Sequence, residues 1–381
     1  MTSPRMTRPG AGGWESPLFG IVTAVLLVFG VAAVYSASSI WAVQNHHPGW
    51  YFALRQLIAA LVGGLFVTII ARLDYHLWHR LAWPIMLATA FFLFVLVLPF
   101  AHAIAPIRNG ARRWLAVGGM SFQPSEIANL AVVLWTAMIA TKKGDDIRDF
   151  KRGLIPVGVI VLPVAALIAI EPDLSTAVLL VALAGLVLFA AGARIGHFLL
   201  LGLVSVPIVW HEITHVAYRA ARLKGFMVGD DDAALRTTQI GQSLIGIGSG
   251  GLTGVGFGKG LQKLGFLKYA YADFIFGTIG EEWGFLGVTT IVLLYAMWIW
   301  IAFRIARTAT DRFGMLLVTG LTAMVGGNAL LHMAVTLAMV PTTGLPLPFI
   351  SYGRSDLLIS LLATGIIVSV ANRRGAGASG L

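Results

Sequence analysis

Two histidines and a glutamate at helical spacing, His211, Glu212 and His215, form an H-E-x-x-H pattern, which on a helix puts two imidazoles on one face as zinc ligands with the carboxylate as base. A catalytic zinc also needs a third protein ligand. The apolar segments downstream contain a single aspartate, Asp356, with flanks unlike those of intramembrane zinc sites, so an interfacial polar cluster is the plainer reading. The run from Gly246 to Gly260, GIGSGGLTGVGFGKG, has eight glycines and includes Gly258-Lys259. As a phosphate loop it fails: Thr253 stands where the first glycine belongs, and Gly260 replaces the Ser or Thr that would hold magnesium. Those glycines suit tight turns or a close approach of backbone to a ligand. The third candidate set is ionisable residues in apolar surroundings, namely Arg55, Glu126, Glu171, Asp173, Asp273, Glu281, Glu282 and Asp356. In a membrane chain such residues mark functional sites by default. With no cysteine in the chain, thiol nucleophiles, Cys zinc sites and disulfides are excluded.

Apolar helices must position these groups. Of the 381 residues 57% are hydrophobic and only 12% charged, with a mean hydropathy of +0.84, whereas a soluble domain carries about 25% charge. A soluble globular enzyme is excluded. Ten windows are long enough to cross a hydrocarbon core: 17–39, 50–71, 82–101, 124–141, 153–170, 174–191, 197–217, 286–305, 313–338 and 354–371. The expected fold is a single all-α integral membrane domain over 1–381 with ten transmembrane helices, each helical because a span must satisfy its own backbone. If the N-terminus is cytoplasmic, the inner segments hold Arg5, Arg8, Arg72, Arg80, Lys142, Lys143, Arg148, Lys151, Arg152, Arg194, Arg304, Arg307, Arg312, Arg373 and Arg374, which is 15 of the 27 Lys and Arg. The positive-inside rule then places both termini in the cytoplasm. The net charge of +10 is distributed in small groups that flank spans, which argues against a nucleic-acid partner.

Between the seventh and eighth helices the segment 218–283 is far longer than a usual connection and is expected to be an extracytoplasmic loop that carries function. It should contain a short helix over Ala234–Ile245, and its apolar pieces LIGIG and ADFIFGTIG are too short to span, which suits re-entrant elements lining a cavity. In this orientation all eight ionisable residues fall near the outer face, together with Arg108, Arg112, Arg113, Lys259, Lys263 and Lys268. A cation-rich cavity opening outward suits an anionic substrate.

Several stretches carry a specific resemblance. These are Asn109-Gly110-Ala111-Arg112-Arg113-Trp114, Phe122-Gln123-Pro124-Ser125-Glu126, Glu171-Pro172-Asp173-Leu174, QKLGFLKYAYADFIFGTIGEEWGFLG from Gln262 to Gly287, and VPTTGLPLPFISYG from Val340 to Gly353. They resemble the SEDS family of bacterial cell-wall polymerases, the FtsW, RodA and SpoVE-like proteins, from the first span to the last. Gln262-Lys263-Leu264 and the proline-rich Pro341 to Pro348 stretch look more like the division branch, FtsW, than the elongation branch. The resemblance implies a peptidoglycan glycosyltransferase of the bacterial cytoplasmic membrane that polymerises lipid II into glycan strands at its outer face. It also implies a class B penicillin-binding transpeptidase and other divisome or elongasome membrane proteins as partners. The family's catalytic aspartate, preceding Phe-Ile-Phe, corresponds to Asp273 here. Three positions depart from the family pattern: Ala272 replaces a threonine, Asn129 replaces the lysine that follows the Pro-Ser-Glu motif, and Gly353-Arg354-Ser355-Asp356 replaces Gly-Gly-Ser-Ser.

Such chemistry asks for a base at the acceptor hydroxyl, cations at the departing pyrophosphate and a groove for polyprenyl tails. Asp273 is the expected base, desolvated beside Phe274, Ile275 and Phe276. Arg112, Arg113 and Lys263 are the expected pyrophosphate ligands, and Glu126, Gln239 and Ser351 complete the substrate-binding set. No cofactor is assigned from the sequence, and a divalent cation, Mg²⁺ or Mn²⁺, could share the pyrophosphate. Glu126, without a lysine at Asn129, is expected to be neutralised by Arg354, unless Arg354 pairs locally with Asp356. The competing functional classes are a flippase for lipid-linked sugars and the intramembrane zinc protease. No internal repeat of the kind transporters show is visible.

Overall fold

The computed structural model describes residues 13–98, 105–106, 112–117, 120–227 and 237–373. Arg108, the acidic run Asp230–Asp232 and the start of the helix expected over Ala234–Ile245 lie outside them. The helices are α1 (Glu15–Gln44), α2 (Tyr51–Ile70), α3 (His76–Val97), α4 (Pro124–Lys143), α5 (Ile155–Ile170), α6 (Leu174–Ala190), α7 (Ile195–His215), α8 (Ala217–Met227), α9 (Gln239–Ser249), α10 (Ile275–Arg307), α11 (Arg312–Thr336) and α12 (Arg354–Asn372). A short antiparallel hairpin, β1 (Leu115–Val117) with β2 (Met120–Phe122), pairs Leu115 with Phe122 and leads into α4. Each of the ten expected windows falls on a helix over most of its described residues, with 99–101 of the third window outside them. Among the described residues nine helices are long and apolar enough to cross a membrane, and α6 is an apolar helix of 17 residues.

Burial sorts these helices into a centre and a rim. In α4, α11 and α12, 78%, 67% and 72% of the most apolar stretch is buried, against none in α7. The rim helices turn Leu61, Leu65, Leu87, Leu199 and Leu203 outward, which water would not tolerate at this density and a lipid solvent does. The central helices carry polar side chains inward at helical spacing, among them Asp356, Ser360 and Thr364 on α12.

The eighth expected span begins earlier than its hydropathy suggests. Helix α10 starts at Ile275 and runs to Arg307, broken at Gly284, whose φ of 64° and ψ of −161° leave the helical region. Such a break frees backbone groups that a bilayer cannot satisfy. The glycine run supplies their partners: Val255 N donates to Glu281 O (3.0 Å), Gly256 N to Glu282 O (3.1 Å), Phe285 N to Gly251 O (2.9 Å) and Leu286 N to Leu252 O (3.1 Å). Contact this close excludes side chains. A Cβ on Gly284 would sit 2.3 Å from Gly254 N, and one on Gly254 (φ 81°) would sit 2.1 Å from Glu282 O. Gly284→Ala is therefore expected to destabilise the fold by about 1–3 kcal/mol through strain and overpacking, read as a lowered melting temperature in detergent.

The neighbouring helix α9 also begins and ends later than expected. Thr238 Oγ1 accepts from Gly241 N at 3.1 Å and caps its start, and the helix continues through Gly246 and Gly248 to Ser249 with Ile240, Gly241, Ser243 and Gly246 buried. Among the described residues, the segment 218–283 holds most of α8, all of α9, the glycine run, the turn that carries Asp273 and the part of α10 before its break.

Candidate functional site

Asp273 lies at the end of a turn just before α10. Tyr269, at φ 57°, reverses the chain so that the amides of Ala272 (2.9 Å) and Asp273 (3.2 Å) both donate to its carbonyl. Phe274, Ile275 and Phe276 behind it are buried. Burial pushes the Asp273 carboxyl up to about 6, with Arg222 and Arg113 pulling the other way. The desolvation expected from the aromatic flank is thus present. A second segment, 340–353, is non-helical yet largely buried, and side chains from several helices satisfy its backbone. His332 Nδ1 bonds Leu345 O (2.9 Å), Tyr295 OH donates to Pro348 O, Arg222 donates to Thr342 O (3.2 Å) and Gln56 Nε2 donates to Ser351 O (3.0 Å).

Ser351 joins the two segments. Its hydroxyl donates to Ala272 O at 2.7 Å and accepts from Leu347 N at 2.9 Å, while Tyr352 N donates to Tyr271 O at 3.0 Å. At 3% exposure Ser351 positions the residue before Asp273 and has no surface to offer a ligand. Ser351→Ala leaves a buried N–H and a carbonyl unpaired and is expected to cost about 1–3 kcal/mol of stability; Ser351→Thr, which keeps the hydroxyl, should recover part of the loss in the same melting measurement.

Next to this turn, a cavity of about 160 Å³ lies between α4, α11, α12 and the residues flanking the β-hairpin. Its lining includes Arg113, Glu126, Asn129, Asp173, Asn328 and Asp356. Arg113 bridges it to the α5–α6 turn, donating from Nε to Glu171 O (3.1 Å) and from Nη2 to Pro172 O, with Nη1 at 3.8 Å from Asp173 Oδ2. Glu171 itself is buried with both carboxyl oxygens unpartnered, and desolvation, added to the nearby Asp173 charge, lifts it to about 9 against the pull of Arg113. It is therefore protonated near neutral pH.

A sequence model of FtsW, RodA and SpoVE cell cycle proteins matches residues 17–375. The chain belongs to the FtsW/RodA/SpoVE family. It is 40% identical to a probable peptidoglycan glycosyltransferase FtsW of Trichlorobacter lovleyi over 350 residues, covering 92% of this chain and 91% of that one. It is 36% identical to the stage V sporulation protein E of Bacillus subtilis over 353 residues, 93% of this chain and 96% of the relative. The crystal structure of Thermus thermophilus RodA superposes with a TM-score of 0.69 at 26% identity, over 96% of this chain and 98% of that one. A chain from a peptidoglycan synthase complex, described for the coordination of polymerization and crosslinking, has the same fold with a TM-score of 0.75 at 24% identity, over 96% and 98% of the two chains.

Within this member of the FtsW/RodA/SpoVE family, the expected site residues separate into groups. Asp273, Arg113 and Glu126 lie close to one another, since Asp273 feels the charge of Arg113 and Arg113 lines the cavity with Glu126. Arg112 is half-buried and donates to Leu98 O at 3.3 Å. Gln239, at the first turn of α9, donates to Lys268 O at 3.4 Å and ties the glycine-side loop to the Asp273 turn. Lys263 requires a correction as a pyrophosphate ligand. Its side chain is 1% exposed and its ammonium is held by Glu282 Oε1 (2.6 Å) and Ser36 Oγ (3.0 Å), so it is a structural ion pair inside the helix bundle.

The Arg354 expectation also fails. No ion pair joins Arg354 to Glu126 or to Asp356 among the described residues; the charges facing Glu126 are the carboxylates of Asp356 and Asp173. In H-E-x-x-H the two imidazoles stack 3.9 Å apart and Glu212 pairs with Arg219 at 2.6 Å. Among the described residues no group of three or more His, Cys, Asp or Glu is placed to hold a metal. Sequence reasoning missed Arg222, the cation with the largest effect on Asp273, and Asn328 on α11, because neither carries a local pattern.

Proposed function

We propose that this chain polymerises lipid II into glycan strands at the outer face of the bacterial cytoplasmic membrane, with Asp273 as the general base. The observation that carries the reading is the half-buried Asp273 carboxyl, pushed up by burial to about 6 with Arg222 and Arg113 pulling the other way, on a turn that Ser351 from the far end of the chain holds through Ala272 O. The naming of its relatives as peptidoglycan glycosyltransferases supports the same reaction. Asp273 takes the proton of the acceptor sugar's 4-hydroxyl as that oxygen bonds to the anomeric carbon of the donor. The bond to the pyrophosphate breaks on the opposite side, so an α-linked donor gives a β-1,4 link by inversion. Arg113 and Arg222, whose charges act on Asp273, supply positive charge to the departing pyrophosphate, and Arg112, next to Arg113 in the chain, is assigned to the same role.

In this reading ten helices cross the membrane with both termini in the cytoplasm, and the segment 218–283 faces outward. A class B penicillin-binding transpeptidase is the partner that the family resemblance implies, and a chain of the same fold belongs to a peptidoglycan synthase complex. The purified chain, alone and with that partner, is expected to convert labelled lipid II into polymer insensitive to zinc chelation. Failure in both forms would overturn the assignment.

A further inference from the structure

The cavity between α4, α11 and α12 gathers buried acceptor atoms that lack a partner. Glu126 Oε2, Asn129 Oδ1 and Asn328 Oδ1 are buried atoms without a hydrogen-bond partner, and all three belong to lining residues. Asn129, Asn328 and Asp356 are 5%, 7% and 6% exposed. Asn129 follows Glu126 by three residues and so shares its helix face. Asp173 has partners of its own in Arg113 (3.8 Å), Thr176 N (3.3 Å) and Gln123 (3.4 Å). Arg113 is engaged by Asp173 and by the carbonyls of Glu171 and Pro172. Arg354 makes no ion pair with Glu126 or Asp356. Two carboxylates and two amide oxygens therefore line one space whose arginine, Arg113, is already engaged by Asp173 and two carbonyls, and among the described residues no ion pair is formed by Glu126 or Asp356, an arrangement that a buried site does not sustain unaided.

We propose that this cavity binds one hard divalent cation of the Mg²⁺ and Mn²⁺ class through Glu126 and Asp356, with Asn129 and Asn328 supplying amide oxygens. Two carboxylates match a charge of two. A set of oxygen donors, with no histidine in the lining, selects a hard ion. The space of about 160 Å³ is well above the roughly 10–15 Å³ that one water requires, so the ion can keep the several waters that Mg²⁺ retains. The site shares Arg113 with the surroundings of Asp273, but Asp273 is not among its ligands and its filling does not depend on that residue's acting as a base.

The test is a Mn²⁺ titration of the purified full-length chain in detergent, followed by electron paramagnetic resonance and by melting temperature, with Mg²⁺ as competitor. One Mn²⁺ per chain is expected, displaced by Mg²⁺ and raising the melting temperature. Glu126→Gln and Asp356→Asn should each weaken binding at least tenfold. Asn129→Lys, which puts an ammonium into the cavity, should abolish binding while melting at or above the metal-free wild type. Asp273→Asn should retain the ion, and a wild-type chain that binds Mn²⁺ yet makes no polymer would count against the glycosyltransferase reading alone. Absence of Mn²⁺ binding, which would point to a proton shared by the carboxylates, overturns the proposal. So does stoichiometric binding that survives Asn129→Lys and Glu126→Gln, which would place the ion elsewhere.

Discussion

Asp273→Asn is expected to abolish polymer synthesis while the protein still folds. The amide keeps the size of the carboxyl and removes its ability to take a proton, a loss worth about 10²–10⁴ in rate for a general base. The measurement is polymer formed from labelled lipid II per folded molecule. Its pH dependence is fixed by the same environment. Because burial lifts Asp273 to about 6, the basic form accumulates as the pH rises through 6, and activity should fall on the acid side with that midpoint. The linkage to stability has the opposite sign. The folded state binds this proton more tightly than the unfolded chain, so its contribution to stability decreases between the ordinary value of 3.8 and about 6 and stays low above that. Asp273→Asn should therefore melt higher than the wild type at pH 7 to 8, losing function and gaining stability together. Retained polymer synthesis in this variant would remove Asp273 from the chemistry.

Lys263→Met is expected to destabilise the fold by about 3–5 kcal/mol, because it leaves a buried carboxylate without its counter-charge. Glu282 is 2% exposed and, besides Lys263, accepts from Ser36 Oγ (2.5 Å), Gly258 N (3.1 Å) and Gly260 N (3.4 Å). One ion pair thus fastens α1, the glycine run and the first half of α10. Combining Lys263→Met with Glu282→Gln should recover most of the loss, a coupling that a double-mutant cycle of melting or denaturant unfolding reads directly. Were Lys263 a pyrophosphate ligand, Lys263→Met would instead lower turnover per folded molecule and leave stability unchanged, with no recovery from Glu282→Gln.

The apolar windows fall on helices, nine of them, among the described residues, long and apolar enough to cross a membrane, because hydropathy depends on composition alone. What it read poorly depended on partners distant in the chain. Residues Ile275 to Trp283 contain Gly277, Gly280, Glu281 and Glu282, and a hydropathy window takes them for loop. They form a helix because Glu281 accepts from Leu261 N (2.6 Å) and Gln262 N (3.2 Å), and Glu282 from Lys263 (2.6 Å), about twenty residues back. The same blindness made Lys263 a plausible surface cation. Asp273 was legible through its aromatic flank and its resemblance to family motifs. Asn328 and Arg222 were not, since a lone asparagine in a span and one arginine in a basic stretch have no spacing to single them out. Asn129 was visible as a departure from the family pattern, but its place beside Asp356 came only with the packing of α4 against α12.

The break at Gly284 bears on how the chain is made. A helix interrupted where it meets the membrane presents bare carbonyls and amides to lipid unless their partners are already there. Here those partners lie between Gly251 and Gly256, upstream of the break, so they leave the ribosome before the helix that needs them. Ser36, which closes the ion pair from α1, is made earlier still. Synthesis therefore presents the socket before the plug, and a circular permutation that moved the glycine run downstream of α10 would preserve every contact of the finished fold while reversing that order.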